Sequence, residues 1–199
     1  MINKTDKTYD SVSSFLSNST TNSNRICFKQ VNLQKSKLAM INLSVKAVDW
    51  SYNPLFLMLQ EPWVSKSGKV GHLPRDVQLF AALNPRAAIV VMKELNVWAM
   101  ESFTHRDQAA CLWKTGIEEL PVIIIVSVYC DILKSIESPE LIALLEFCNK
   151  NNYPVIMCTD MNSHSSLWGC DQNKAQGDMW DKVLCKFHLS VVKVGKVPC

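Results

Sequence analysis

The sequence lacks a Cys-x-x-Cys pair and any histidine pair at matching spacing, so its 8 cysteines do not read as a zinc finger. It also lacks a strong charge imbalance: 21 Lys and Arg against 18 Asp and Glu leave a net charge of +3. That excludes a histone-like chain or a basic arm, while leaving room for a local basic patch on DNA. No apolar run is long enough for a bilayer, which needs roughly 20 residues; the longest lies around Pro121 to Cys130. The N-terminus has Lys4 and Lys7, but Asp6, Asp10 and a Ser/Thr/Asn-rich stretch stand where a secretory signal would be apolar. There are no repeats and no internal linker. These absences lead us to expect an intracellular protein, nuclear or cytoplasmic, with no membrane attachment. The cysteines, several of them inside apolar runs such as the one before Cys158, are expected to be buried free thiols.

What is present suits one ordinary domain. Of the 199 residues 48% are hydrophobic, including 6 Trp, 7 Phe and 8 Met, enough for a real core. Residues 1–24 are polar and rich in Ser, Thr and Asn, and read as a disordered leader; the domain is expected over 25–199. Strand character is expected at Ile26–Val31, Leu55–Leu59, Val77–Ala82, Ala87–Met92, around Trp98, at Ala109–Trp113, Pro121–Tyr129, Val155–Thr159 and Leu189–Val194. Leu38, Ile41, Val45 and Val48 recur at helical spacing and predict an amphipathic helix over 34–48. Two more helices are expected at Pro139–Asn149, opened by a proline after Ser138, and at Gly177–Phe187. Strands both in hairpin runs and after helices indicate an α+β or layered α/β fold.

Polar groups stand where apolar strands end: Glu61 after Leu55–Leu59, Tyr129 and Asp131 after Val122–Val128, and Asp160 with Asn162 after Val155–Thr159. Strand ends along one sheet edge are where such folds build sites. A carboxylate from one strand and Asp-x-Asn from another offer hard oxygen donors suited to Mg²⁺ (or Mn²⁺). Each of these signals alone is weak, and a Glu before a proline at a strand end is more often a solvated loop residue. Trp63, Trp98, Trp113 and Trp168 are read as packing residues rather than base-stacking ones. The lysines at 66, 69 and 93, with Arg75 and Arg86, fit a phosphate-tracking surface or simple solvation.

The combination is more specific. Gln60-Glu61-Pro62-Trp63, Gly68-Lys69-Val70, Arg86-Ala87-Ala88-Ile89-Val90, Ser127-Val128-Tyr129-Cys130-Asp131 and, above all, Asp160-Met161-Asn162-Ser163-His164-Ser165-Ser166-Leu167-Trp168-Gly169 occur in that order. In this they resemble the endonuclease domains of non-LTR retrotransposons, within the exonuclease–endonuclease–phosphatase superfamily. Asn32-Leu33-Gln34-Lys35 resembles the first strand-to-helix segment. The resemblance implies a DNase I-like, two-sheet β-sandwich flanked by helices that nicks DNA with a divalent metal. It implies metal contacts at Glu61, Asn32 and Asp160, water and phosphate positioning by Asp160 and Asn162, phosphate contacts from Tyr129 and Arg86, and a reverse transcriptase region as a partner in a full-length element.

Relatives continue past the place of Cys199 with further strands and a Ser-Asp-His block. The chain is therefore expected to be incomplete at the C-terminus, with its last strands lacking and its cleavage weak or nil. A non-catalytic remnant with at most weak nucleic-acid binding is the competing reading; a hydrolase of sugar or lipid phosphates fits the signature blocks less well. His72, His105, His164 and His188 are the only histidines, and His164 is expected to order its own loop. Asp171 to Gly177 stands where relatives tend to carry two basic residues, of which Lys174 replaces one.

Overall fold

The computed structural model describes residues 7–9, 26–49, 55–92, 95–131, 138–172 and 174–192. Two mixed sheets face each other. The first runs β1-β2-β3-β5-β4, from β1 (Lys7–Tyr9), β2 (Cys27–Asn32), β3 (Leu55–Gln60), β4 (Val77–Phe80) and β5 (Ala87–Met92). The second runs β6-β7-β8-β9, from β6 (Val97–Ala99), β7 (Gln108–Lys114), β8 (Val122–Tyr129) and β9 (Val155–Asp160). Each sheet holds one parallel pair joined through a helix. β2 and β3 are linked by α1 (Lys37–Asp49), and β8 and β9 by α2 (Pro139–Lys150). A third helix, α3 (Ala175–Lys186), comes after β9. This is the layered two-sheet α/β architecture expected from the sequence.

Strand alternation distributes the apolar side chains over three cores. Phe28, Phe56, Met58, Ile89, Cys111, Trp113 and Ile125 point between the sheets. Phe28 and Phe56 stack at 5.1 Å, with Trp113 tilted 5.5 Å from Phe56. The opposite faces of β3 and β5 pack with Met40, Leu43 and Ala47 of α1. Ile124, Val126 and Val128 pack with Leu141, Leu144 and Leu145 of α2 and with Trp180 and Val183 of α3. All six residues of β3 are buried, because it is covered on both faces and flanked on both edges.

Several local expectations change. The inward face of α1 is Met40, Leu43 and Ala47, while Leu38 and Val45 are 65% and 66% exposed and Ile41 lies at the exposed margin. The helix is apolar on nearly every side, so two stripes compete, and the one with a small alanine sits closer to the sheet. Lys7–Tyr9, inside the leader read as disordered, pair antiparallel with β2; the rest of that leader lies outside the described residues. β4 ends at Phe80 rather than Ala82, and Leu189–Val192 form no strand, with 193–194 outside the described residues. Of the cysteines, Cys27, Cys111, Cys130, Cys148, Cys158 and Cys185 are thiols as expected, but only Cys111, Cys148 and Cys158 of these are buried and Cys185 is exposed, whereas Cys170 is disulfide-bonded. Burial pushes the Cys148 thiol up to about 11, the state of an inert packing cysteine. No helix among the described residues is long and apolar enough to cross a membrane.

Candidate active site

The parallel registers bring the polar strand ends into two matched pairs. Asn32 lies opposite Gln60 at the ends of β2 and β3, and Tyr129 lies opposite Asp160 at the ends of β8 and β9. Beneath them the inter-sheet face turns from apolar to polar. The Gln60 amide, fully buried, donates to Ser127 Oγ at 3.1 Å, and the Ser127 hydroxyl donates to the Leu59 carbonyl at 3.1 Å. Gln30 Nε2 also donates to the Thr159 carbonyl at 2.9 Å. These bonds fix the two sheets face to face where the site begins.

Above this floor the sheets meet directly. Asn32 Nδ2 donates to Asp160 Oδ2 at 2.5 Å, while Asn32 Oδ1 accepts from the Gln34 amide at 2.9 Å. Glu61 comes directly after β3 in left-handed backbone with φ 46°, its N–H donating to the Arg86 carbonyl and its C=O accepting from the Lys35 amide. Its carboxylate, 16% exposed, pairs with Lys35 Nζ at 3.1 Å. Tyr129 stands between the halves. Burial raises its phenol above the ordinary value, and the nearby negative charges of Glu61, Asp160 and Asp131 raise it further against an opposing effect of Arg86. One hydroxyl thus feels carboxylates from both sheets. Asn162, left-handed at φ 45°, donates from Nδ2 to the Cys130 carbonyl at 2.8 Å, which leaves its amide oxygen available.

Arg86 has a different setting from the substrate contact inferred by resemblance. Its guanidinium makes a two-pronged pair with Asp107, both bonds 2.5 Å, and a third bond to Asp131 at 2.7 Å. It lies 4.7 Å over the Tyr129 ring and is only 11% exposed. Those partners hold it charged, with its pKa pushed above the usual arginine range chiefly by Asp107. Arg86 ties the start of β5 to the loops before β7 and after β8, at one end of the second sheet, and backs the tyrosine.

Most of the Asp160–Gly169 block is scaffolding. Ser165, fully buried, donates to Asp181 of α3 at 3.0 Å and accepts from the Leu167 amide. Trp168 donates to the Ser163 carbonyl at 3.2 Å, and the His164 carbonyl accepts from the Lys174 amide at 3.0 Å. Gly177 is required by contact: a β-carbon there would lie 1.9 Å from the His164 carbonyl oxygen. Sequence reasoning missed Gly177, Asp181, Asp107 and Ser127, whose partners are remote in the chain. Of the tryptophans, Trp113 is core and Trp63 lies 4.8 Å from His72, but Trp98 is 45% exposed with Lys114 over its ring. Lys93 lies outside the described residues.

Asn32, Asp160 and Asn162 also line one end of an open cleft of about 1060 Å³ that runs along β9 beside His164 and Trp168. Among the described residues no group of three or more His, Cys, Asp and Glu side chains gathers. Two carboxylates with an amide oxygen do fit a hard cation that keeps several of its waters.

No protein-family profile matches the chain, and no curated protein matches it. Among solved structures the chain is similar to the endonuclease domain of TRAS1, a telomere-specific non-LTR retrotransposon. The identity is 24%, the TM-score is 0.69, and the match covers 86% of this chain and 74% of that one. The chain has the two-sheet DNase I-like fold of that domain.

Proposed function

We propose that the protein is a metal-dependent phosphodiesterase that nicks DNA, the nuclease domain of a retroelement whose full length adds a reverse transcriptase region. The observation that carries this reading is the meeting of the two strand-end pairs: Asn32, opposite Gln60 and next to the Glu61 turn, is bonded to Asp160, which lies opposite Tyr129. Nothing in a purely structural sandwich calls for two carboxylates, two amides and a phenol at one strand-end cluster. Glu61 and Asp160, with the Asn32 amide oxygen, would hold Mg²⁺ or Mn²⁺. When bound, the cation would supply Lewis-acid neutralisation of the phosphoryl oxygen and the leaving alkoxide. Asp160, its carboxylate fixed by Asn32, orients the attacking water. Tyr129 keeps its proton at neutral pH and donates to a phosphate oxygen. Asn162, anchored through its own amide nitrogen, faces the same substrate.

The test is Mg²⁺-dependent nicking of supercoiled plasmid by the full chain. Glu61→Ala and Asp160→Ala should each abolish it, while chelation by EDTA should reproduce their loss. A second reading, DNA binding without cleavage, is favoured by one observation: among the described residues no histidine side chain hydrogen-bonds to Glu61, Tyr129 or Asp160 as a proton carrier. Plasmid retardation without nicking, in the wild type and both variants alike, would select that second reading.

A further inference from the structure

The turn after β2 has an unusual backbone. Gln34 and Lys35 are consecutive residues with side chains in the left-handed region, at φ 49° and 56°, and Glu61 facing them is left-handed too. That conformation is unfavourable for any residue with a β-carbon. It is held by the Gln34 amide on Asn32 Oδ1 at 2.9 Å and the Lys35 amide on the Glu61 carbonyl at 2.8 Å. Its result is to aim the Lys35 ammonium at Glu61 Oε1, 3.1 Å away. Lys35 is 66% exposed and so adds little packing, whereas Glu61 is mostly covered. The strained turn therefore delivers a mobile cation to the carboxylate assigned above to the metal.

We propose that Lys35 is a resident counter-ion of Glu61 that a divalent cation must displace, so that this side chain sets the cation concentration at which the site loads. The inference rests on the metal-site reading. An ammonium and a divalent ion on one carboxylate repel each other, and the ammonium, strongly hydrated and on a flexible stem, is the one free to leave. Without the cation, the ion pair holds the Glu61 carboxylate in place. With the cation, the pair is broken, and its strength is subtracted from the binding.

The measurement is Mn²⁺ affinity of the full 199-residue chain, read from the free-ion electron paramagnetic resonance signal, with far-UV circular dichroism confirming the fold of each variant. Lys35→Met should bind Mn²⁺ about twofold to fivefold more tightly, the range an exposed ion pair supports. Lys35→Arg, which keeps the charge, should stay at the wild-type value. The advantage of Lys35→Met should shrink as NaCl is raised, since salt screens an exposed pair. Glu61→Gln should weaken binding about tenfold or more. Unchanged or weaker binding by Lys35→Met, alongside a weakened Glu61→Gln, overturns the counter-ion role alone. Wild-type affinity in Glu61→Gln overturns the metal site itself, and this inference with it.

Discussion

The two parallel pairs that supply the site are built alike and supported differently. β3 is central in its sheet, buried over all six residues, and hands Glu61 to a turn secured by the backbone of β5. β9 has a strand on one edge only among the described residues, and just one of its six residues is buried. Asp160 consequently depends on braces later in the chain: the Asn162 bond to Cys130, the Ser165–Asp181 link and the seat of α3 against His164. A central strand positions a side chain through its own neighbours. An edge strand needs an outside brace, and here the long signature block supplies it. That explains why the second half of the site has the more conspicuous sequence motif although that motif itself contributes only two of the site's side chains, Asp160 and Asn162.

The sharpest way to break this comparison is to remove the carboxylates. Glu61→Ala and Asp160→Ala should each lower nicking by about a hundredfold or more; undiminished nicking in either variant would mean that the two halves do not act on one phosphate. Phe56→Ala in the central strand should cost about 3–5 kcal/mol of global stability, measured by urea unfolding. Gly177→Ala should cost about 1–3 kcal/mol, because the added methyl meets the His164 backbone and forces α3 off its seat. Its mark should be regional: amide exchange rises over 155–180 while β3 stays protected. Asp181→Ala should cost about 1 kcal/mol and reduce nicking without altering protection in the first sheet.

The smallest effect concerns Tyr129, which joins the halves. Its folded-state pKa is raised above the unfolded value, so the native state holds that proton more tightly. The associated stability is fully present below about pH 10, the ordinary tyrosine value, and is lost as pH rises through the folded value. Denaturation midpoints should fall more steeply above pH 10 in the wild type than in Tyr129→Phe. Parallel curves would show that the phenol does not sense the carboxylates of the two sheets.

Legibility in the sequence divides along the same line. β3 and β8 are long β-branched or aliphatic runs, and the polar groups after them are visible at once as strand-end residues. The helix α1 is legible but its inward face is not, since Leu38, Ile41 and Val45 look as apolar as the stripe that is buried. The bracing is not legible either: Ser165 meets Asp181 and Gly177 meets His164 only after α3 folds back. Arg86 reads as a phosphate ligand in the sequence because its two carboxylate partners, Asp107 and Asp131, lie on loops of the other sheet. A resemblance names the residues at a site, and only packing distinguishes those facing a ligand from those facing each other.

The graded interior between the sheets has a thermal consequence. One end is closed by Phe28, Phe56 and Trp113, the other by the Gln60 and Ser127 hydrogen bonds. Apolar attraction weakens on cooling. Chilled protein should therefore loosen first at the aromatic end, far from the chemistry, and keep its reactive end assembled longest.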